Sequence, residues 1–167
     1  MKTERQAGFE ELCRSEYAAV VRTAWLITGD REEAVDIAQE TFVRAYEHWK
    51  QVASMDRPAA WLQRVAANLA LSWRRRRRVH SRPHRQAPAG APPADSIVDP
   101  QLMHSLGKLT PAQRAVVVLR YLCDQSVDDV AQALGKRPGT VRALTSQGLE
   151  RLRRVLDPEE VLLDARD

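Results

Sequence analysis

The sequence is short of cysteine, of aromatic residues and of long apolar runs. Cys13 and Cys123 are its only cysteines. Neither has a Cys or His neighbour at ligand spacing, which argues against a disulfide framework or a zinc site; both read as small buried hydrophobes. His48, His80, His84 and His104 stand apart from one another, no Asp/Glu/His cluster has metal spacing and no serine has a base nearby. The pattern therefore implies no metal, no cofactor and no catalytic centre. No run approaches the ~20 apolar residues that span a bilayer. The polar stretch from Met1 to Glu11 lacks the apolar segment of a signal peptide, so the expected compartment is the cytoplasm. With Phe9, Phe42, four Trp and three Tyr as the only aromatics, a core must rest on Ala, Val and Leu, as in small helical bundles.

What is present is charge, unevenly spread. The 167 residues carry a net charge of +4. Residues 8–56 hold five Lys/Arg against ten Asp/Glu, residues 57–94 hold nine Arg and no acid, and residues 136–154 hold six Lys/Arg against Glu150 alone. Two basic zones separated along the chain suggest two contacts with a polyanion. The acidic first third suggests a different partner, a protein.

Hydrophobic periodicity predicts an all-α fold in two small bundles, residues 8–80 and 101–156, joined by a Pro/Ala-rich linker over 81–100 and followed by an acidic tail, Asp157 to Asp167. In the first bundle, one helix runs from about Phe9 to Ile27 and stops at Gly29. Asp30 caps a second, with Val35, Ala38, Phe42, Ala45 and Trp49 as its buried stripe. A polar loop from Val52 to Arg57 leads to a third, opened by Pro58, with Leu62, Val65, Leu69 and Trp73 facing inward; Trp61 is read as core beside that stripe. In the second bundle, Leu102, Leu106 and Leu109 mark a lead-in helix ending near Gly107, and Pro111 opens another through Leu122. Ser126 caps a helix that Gly135 ends. Pro138 starts a last one with Val141, Leu144, Gly148, Leu149 and Leu152 inward.

Ser126 to Arg154 has the form of a helix-turn-helix, in which the first helix braces a second whose outward residues can enter a major groove. Arg142, Ala143, Ser146 and Gln147 lie away from the apolar stripe. Lys136, Arg137, Arg151, Arg153 and Arg154 suit phosphate contacts, which the helix N-terminus favours.

Here the sequence resembles a known family. Leu109-Thr-Pro-Ala-Gln-Arg114, Val118-Leu-Arg-Tyr-Leu122, Asp129-Val-Ala-Gln-Ala-Leu-Gly135 and Pro138-Gly-Thr-Val-Arg142 look like region 4 of the sigma-70 family. Asp36-Ile-Ala-Gln-Glu-Thr-Phe-Val-Arg-Ala45 looks like region 2.2, and Trp61-Leu-Gln-Arg-Val-Ala-Ala-Asn68 like regions 2.3 and 2.4. Regions 1.1 and 3 have no counterpart, a layout similar to the extracytoplasmic-function (ECF) group of sigma factors.

The resemblance implies a non-catalytic subunit that binds core RNA polymerase, through the β′ clamp helices and the β subunit, and directs it to promoter DNA. It implies that Asp36, Gln39, Glu40, Val43 and Glu47 dock the clamp helices. It also implies that Ser54, Met55 and Asp56 receive a base turned out of the −10 element, with Asn68 helping to hold it and Arg64, Arg74, Arg75, Arg76, Arg77 and Arg78 on the backbone. Arg137, Thr140, Arg142, Ala143, Ser146, Gln147 and Arg151 would face the −35 duplex, and an anti-sigma protein is expected as a partner. Two departures stand out: Ala143, Ser146 and Gln147 where the family often has basic or aromatic residues, and Arg137 where a Ser or Thr cap is common. Two other classes compete. A stand-alone helix-turn-helix regulator would bind duplex by itself as a symmetric dimer. A nucleic-acid enzyme would need a catalytic cluster that the sequence lacks.

Overall fold

The computed structural model describes residues 2–80 and 98–156, and every regular element among them is helical. The chain divides into two compact units, Met1–Ile97 and Val98–Asp167. The acidic tail and all but the last residues of the Pro/Ala-rich stretch lie outside the described residues.

The N-terminal unit packs three long helices, α1 (Lys2–Thr28), α2 (Arg31–Glu47) and α4 (Pro58–His80), with a single turn, α3 (Trp49–Val52), between the last two. Gly29 ends α1 in the left-handed region at φ 73°, where a residue without Cβ is unstrained. Asp30 then caps α2, its carboxylate accepting from the Glu33 amide at 3.1 Å. Helix α1 starts earlier than its apolar spacing suggests. Its first turns are held by packing: Phe9 meets Tyr46 and Trp49 edge-on at 5.1 and 5.5 Å, and the Arg5 guanidinium lies 5.6 Å from the Tyr46 ring.

The core joins Val20, Trp25, Leu26 and Ile27 of α1 to Ile37, Ala38 and Phe42 of α2 and to α4. On α4 the expected stripe is rotated. Leu62 is buried, but with Ala66, Ala67, Ala70 and Leu71 rather than Val65, Leu69 and Trp73, which are half-buried with Trp61. Alanines let helix axes approach closely, and they fill the seam that larger residues only flank. Val52, read as loop, is fully buried at the end of α3, which shortens the loop to residues 53–57. Val35 is half-buried too, and Cys13 and Cys123 are half-buried rather than buried.

The C-terminal unit holds α5 (Pro100–Leu106), α6 (Pro111–Val117), α7 (Val127–Leu134) and α8 (Pro138–Leu156). The expected linker reached Pro100, but Asp99 caps α5, accepting from the Gln101 amide at 2.8 Å, and Pro100 is the first helical residue. Thr110 with Gln113 and Ser126 with Asp129 form reciprocal capping boxes at the starts of α6 and α7. Helix α6 does not reach Leu122 as an α-helix. Val118–Leu122 widen into a π-helical turn closed by the Cys123 amide on the Val118 carbonyl at 3.1 Å. Arg120 secures the short loop into α7 by donating to the Gln125 carbonyl at 2.6 Å. Arg114, within the family-like motif, is 3% exposed and belongs to the interior.

Gly135 stops α7 at φ 60°. Its amide donates to Gln132 and that of Lys136 to Ala131, at 3.5 and 2.9 Å, the pairing of a Schellman stop. Helix α8 turns Val141, Gly148 and Leu152 inward. Leu149, expected inside, is 38% exposed. Gly148 is needed for closeness: a Cβ there would stand 2.9 Å from Val117 Cγ2.

Candidate nucleic-acid and protein interfaces

The expected docking residues sit on one side of α2. Its buried side is Ala34, Ile37, Ala38, Thr41, Phe42 and Ala45, which leaves Asp36, Gln39, Glu40, Val43 and Glu47 exposed. Glu40 accepts from Arg44 at 2.8 Å, an exposed one-turn ion pair of the kind worth only about 0.3–0.5 kcal/mol, so Glu40 can exchange partners at small cost. Gln39, Val43 and Glu47 also form one wall of an open, mainly apolar groove of ≈ 580 Å³, whose other wall is Phe9, Cys13 and Tyr17 of α1, with Phe42 and Tyr46 between. Val43 and Tyr46 are each 52% exposed there. Burial, with Glu10 as a smaller cause, pushes the Cys13 thiol above its usual range.

The second candidate surface begins in the turn after α3. Ser54 and Asp56 are exposed and Met55 is half-buried; the Ser54 hydroxyl donates to the Gln51 carbonyl at 2.8 Å. On α4, Arg64 is half-buried and Asn68, one turn later, is exposed.

The arginine run at the end of α4 is not uniform. Arg75, Arg76 and Arg78 are exposed. Arg74 turns inward and donates to the Ile27 and Thr28 carbonyls at 3.3 and 3.0 Å, satisfying the open end of α1. Burial, then the neighbouring Arg78 and Arg77, lower its pKa from the ordinary arginine value. Arg77 pairs with Asp30 at 3.4 Å and lies 4.9 Å from the Trp73 ring centre. The pKa of nearby Glu33 is raised by burial and then by Asp36 and Asp30, against the opposing pull of Arg76 and the Trp73 indole. Trp73 is thus half-buried in a polar corner, and the core role expected for it is corrected.

In the C-terminal unit, Arg137, Thr140, Arg142, Ala143, Ser146, Gln147 and Arg151 are all exposed on or just before α8. Glu150 accepts from Arg154 at 3.1 Å. Among the described residues, no cluster of His, Cys, Asp and Glu could hold a metal ion, and no helix is long and apolar enough to cross a membrane.

The sequence matches the family model for Sigma-70 region 2 over residues 12–79, from the second third of α1 through α4, and that for Sigma-70, region 4 over residues 100–152, which is α5 to most of α8. The RNA polymerase sigma-E factor of Streptomyces avermitilis is 35% identical to it, covering 95% of this chain and 89% of its own. The chain belongs to the sigma-70 family. Its place in the ECF group follows from relatives such as the ECF RNA polymerase sigma factor SigL of Mycobacterium tuberculosis, 34% identical over 90% of both chains.

Among solved structures, the Bartonella quintana sigma factor RpoE, crystallised with the anti-sigma factor NepR, shares the fold, with a TM-score of 0.76 at 21% identity over 91% of this chain and 98% of that one. As a sigma factor, the protein binds core RNA polymerase and directs promoter-specific initiation, recognising the −35 element as duplex and melting the −10 element. Sequence reasoning missed the α1 side of this sigma factor's groove. The signal was there, in Phe9, Cys13 and Tyr17 at successive four-residue steps, one helical stripe.

Proposed function

We propose that this ECF sigma factor divides its work between three surfaces. The α2 face of Asp36, Gln39, Glu40, Val43 and Glu47 docks the β′ clamp helices, with charge complementarity steering the approach and fixing orientation. The turn of Ser54, Met55 and Asp56 takes a base extruded from the −10 element, with Asn68 beside it and Arg64, Arg75, Arg76 and Arg78 along the phosphates. Extrusion costs a few kcal/mol of stacking and pairing, which a preformed receptor and basic groove offset. The outward residues of α8, from Arg137 to Arg151, meet the −35 duplex, and a further contact with the β subunit holds this unit on the enzyme.

The observation that carries the reading is the joining of an acidic helical face and an arginine-rich helix in one three-helix bundle, so that docking the enzyme brings DNA to the same body. In this reading the protein contributes no catalysis of its own and works in the cytoplasm. An anti-sigma protein covers its surfaces when it is held inactive; the solved relative bound to NepR supports that partner by analogy of fold.

The test is promoter-dependent transcription with purified core polymerase. Asn68→Ala should reduce initiation far more than core binding. Asp36→Lys with Glu40→Lys should reduce core binding first. Wild-type behaviour of both variants would remove these assignments. Strong, polymerase-independent binding to a duplex as a dimer would favour the stand-alone regulator instead.

A further inference from the structure

The five arginines from Arg74 to Arg78 read as one phosphate-binding strip, but their side chains have two destinations. We propose that Arg74 is a positioning residue that makes no phosphate contact: it latches the end of α4 to the α1–α2 corner, so that Arg75 and Arg78 stand ready for the promoter backbone. The proposal rests on the sigma-factor reading of α4.

Two neighbouring contacts converge on that corner. Arg74 holds the last carbonyls of α1, and Arg77 holds Asp30, which also caps α2. Both come from one turn of α4, residues 74 and 77, and they span the junction of both other helices. Arg74 uses one amino group for two carbonyls and is largely enclosed, so moving it to a phosphate would strip the end of α1 of its donor. Arg75 and Arg78, three residues apart, are exposed. Spacing of three keeps them on neighbouring positions of one helix face. The latch sets where that face points: with the corner loosened, the same charges can still reach the phosphates, but their placement must be re-formed on binding.

Positioning and neutralising are two effects that a simple basic patch would merge. Each cation that neutralises a phosphate contributes about 0.7–0.9 to the slope of log affinity against log salt. A residue that only places other cations changes affinity and leaves the slope alone.

The experiment uses the full chain bound to core polymerase and a promoter fragment selected by the wild-type holoenzyme from random-sequence duplex. Affinity for that fragment is measured across a salt series. Arg75→Ala and Arg78→Ala should each flatten the slope by about 0.7–0.9. Arg74→Ala and Arg74→Gln should weaken binding roughly tenfold at every salt concentration with the wild-type slope, consistent with lost pre-organisation, and with core affinity unchanged. Arg74→Lys, which can still donate to both carbonyls, should restore most of the affinity. If Arg74→Ala does not fold, Arg74→Gln supplies the slope. A flattening at Arg74 equal to that at Arg75, or wild-type affinity in both neutral variants, overturns the proposal. Selection of no fragment at all by the wild-type holoenzyme overturns instead the functional reading beneath it.

Discussion

In the N-terminal unit, charged side chains do structural and functional work at the same address. Asp30 caps α2 and receives Arg77, and Arg74 closes α1 from α4, the helix proposed to read DNA. In the C-terminal unit the two tasks are kept apart. A capping box and a glycine stop build the helix-turn-helix, while Arg142, Ser146, Gln147 and Arg151 stand exposed on α8. The difference teaches where function can be altered without touching the fold: readily on α8, and with difficulty at the α1–α2 corner.

The contrast can be broken at four points. Gly148→Ala drives a Cβ against the stiff Val117 side chain and should destabilise the C-terminal unit by about 1–3 kcal/mol, read by thermal or urea unfolding; an unchanged midpoint would show that α8 can shift freely. Asp30→Ala should cost about 1 kcal/mol through the lost cap and should also weaken promoter complexes. Asp30→Ser should return the stability and not the complexes, because it caps without a charge for Arg77. Equal recovery of both would separate the two tasks at this corner after all. Arg142→Ala and Arg151→Ala should each flatten the salt dependence by about 0.9 and leave the unfolding midpoint where it was.

The smallest effect belongs to Glu33. Its folded-state pKa is raised, chiefly by burial, so the folded state disfavours the carboxylate. The stability it contributes is complete below the unfolded-state pKa and is lost as pH rises through the folded one. Solvent screening keeps the term small. Glu33→Gln should therefore raise the melting temperature slightly at pH 7 and leave it unchanged near pH 4. A lower melting temperature at neutral pH would reverse the sign.

Long-period features were legible in the sequence because they depend on one helix at a time. The Asp30 and Ser126 caps, the stops at Gly29 and Gly135, and the outward set on α8 all come from local rules. What was not legible depends on two or three helices meeting. The alanine seam of α4 was hidden because spacing arguments favour large side chains, and here Ala66 and Ala70 are fully buried while Val65 and Leu69 are only half-buried. The π-helical turn at Val118 adds a residue to a repeat that looks regular in one dimension. The division of the arginine run was hidden for a plainer reason: five identical residues carry no sign of which neighbour each will find, and only the open carbonyls of α1 distinguish Arg74.

The aromatic contacts of Phe9 carry a practical consequence. The match to the region 2 family model begins at residue 12, yet Phe9 packs on both Tyr46 and Trp49, ring pairings worth roughly 0.5–1.5 kcal/mol each beyond the area they cover. A fragment trimmed to that boundary would bare more of an indole and a phenol at the end of α2 and invite self-association. The boundary of that match falls, in this protein, inside the folded body.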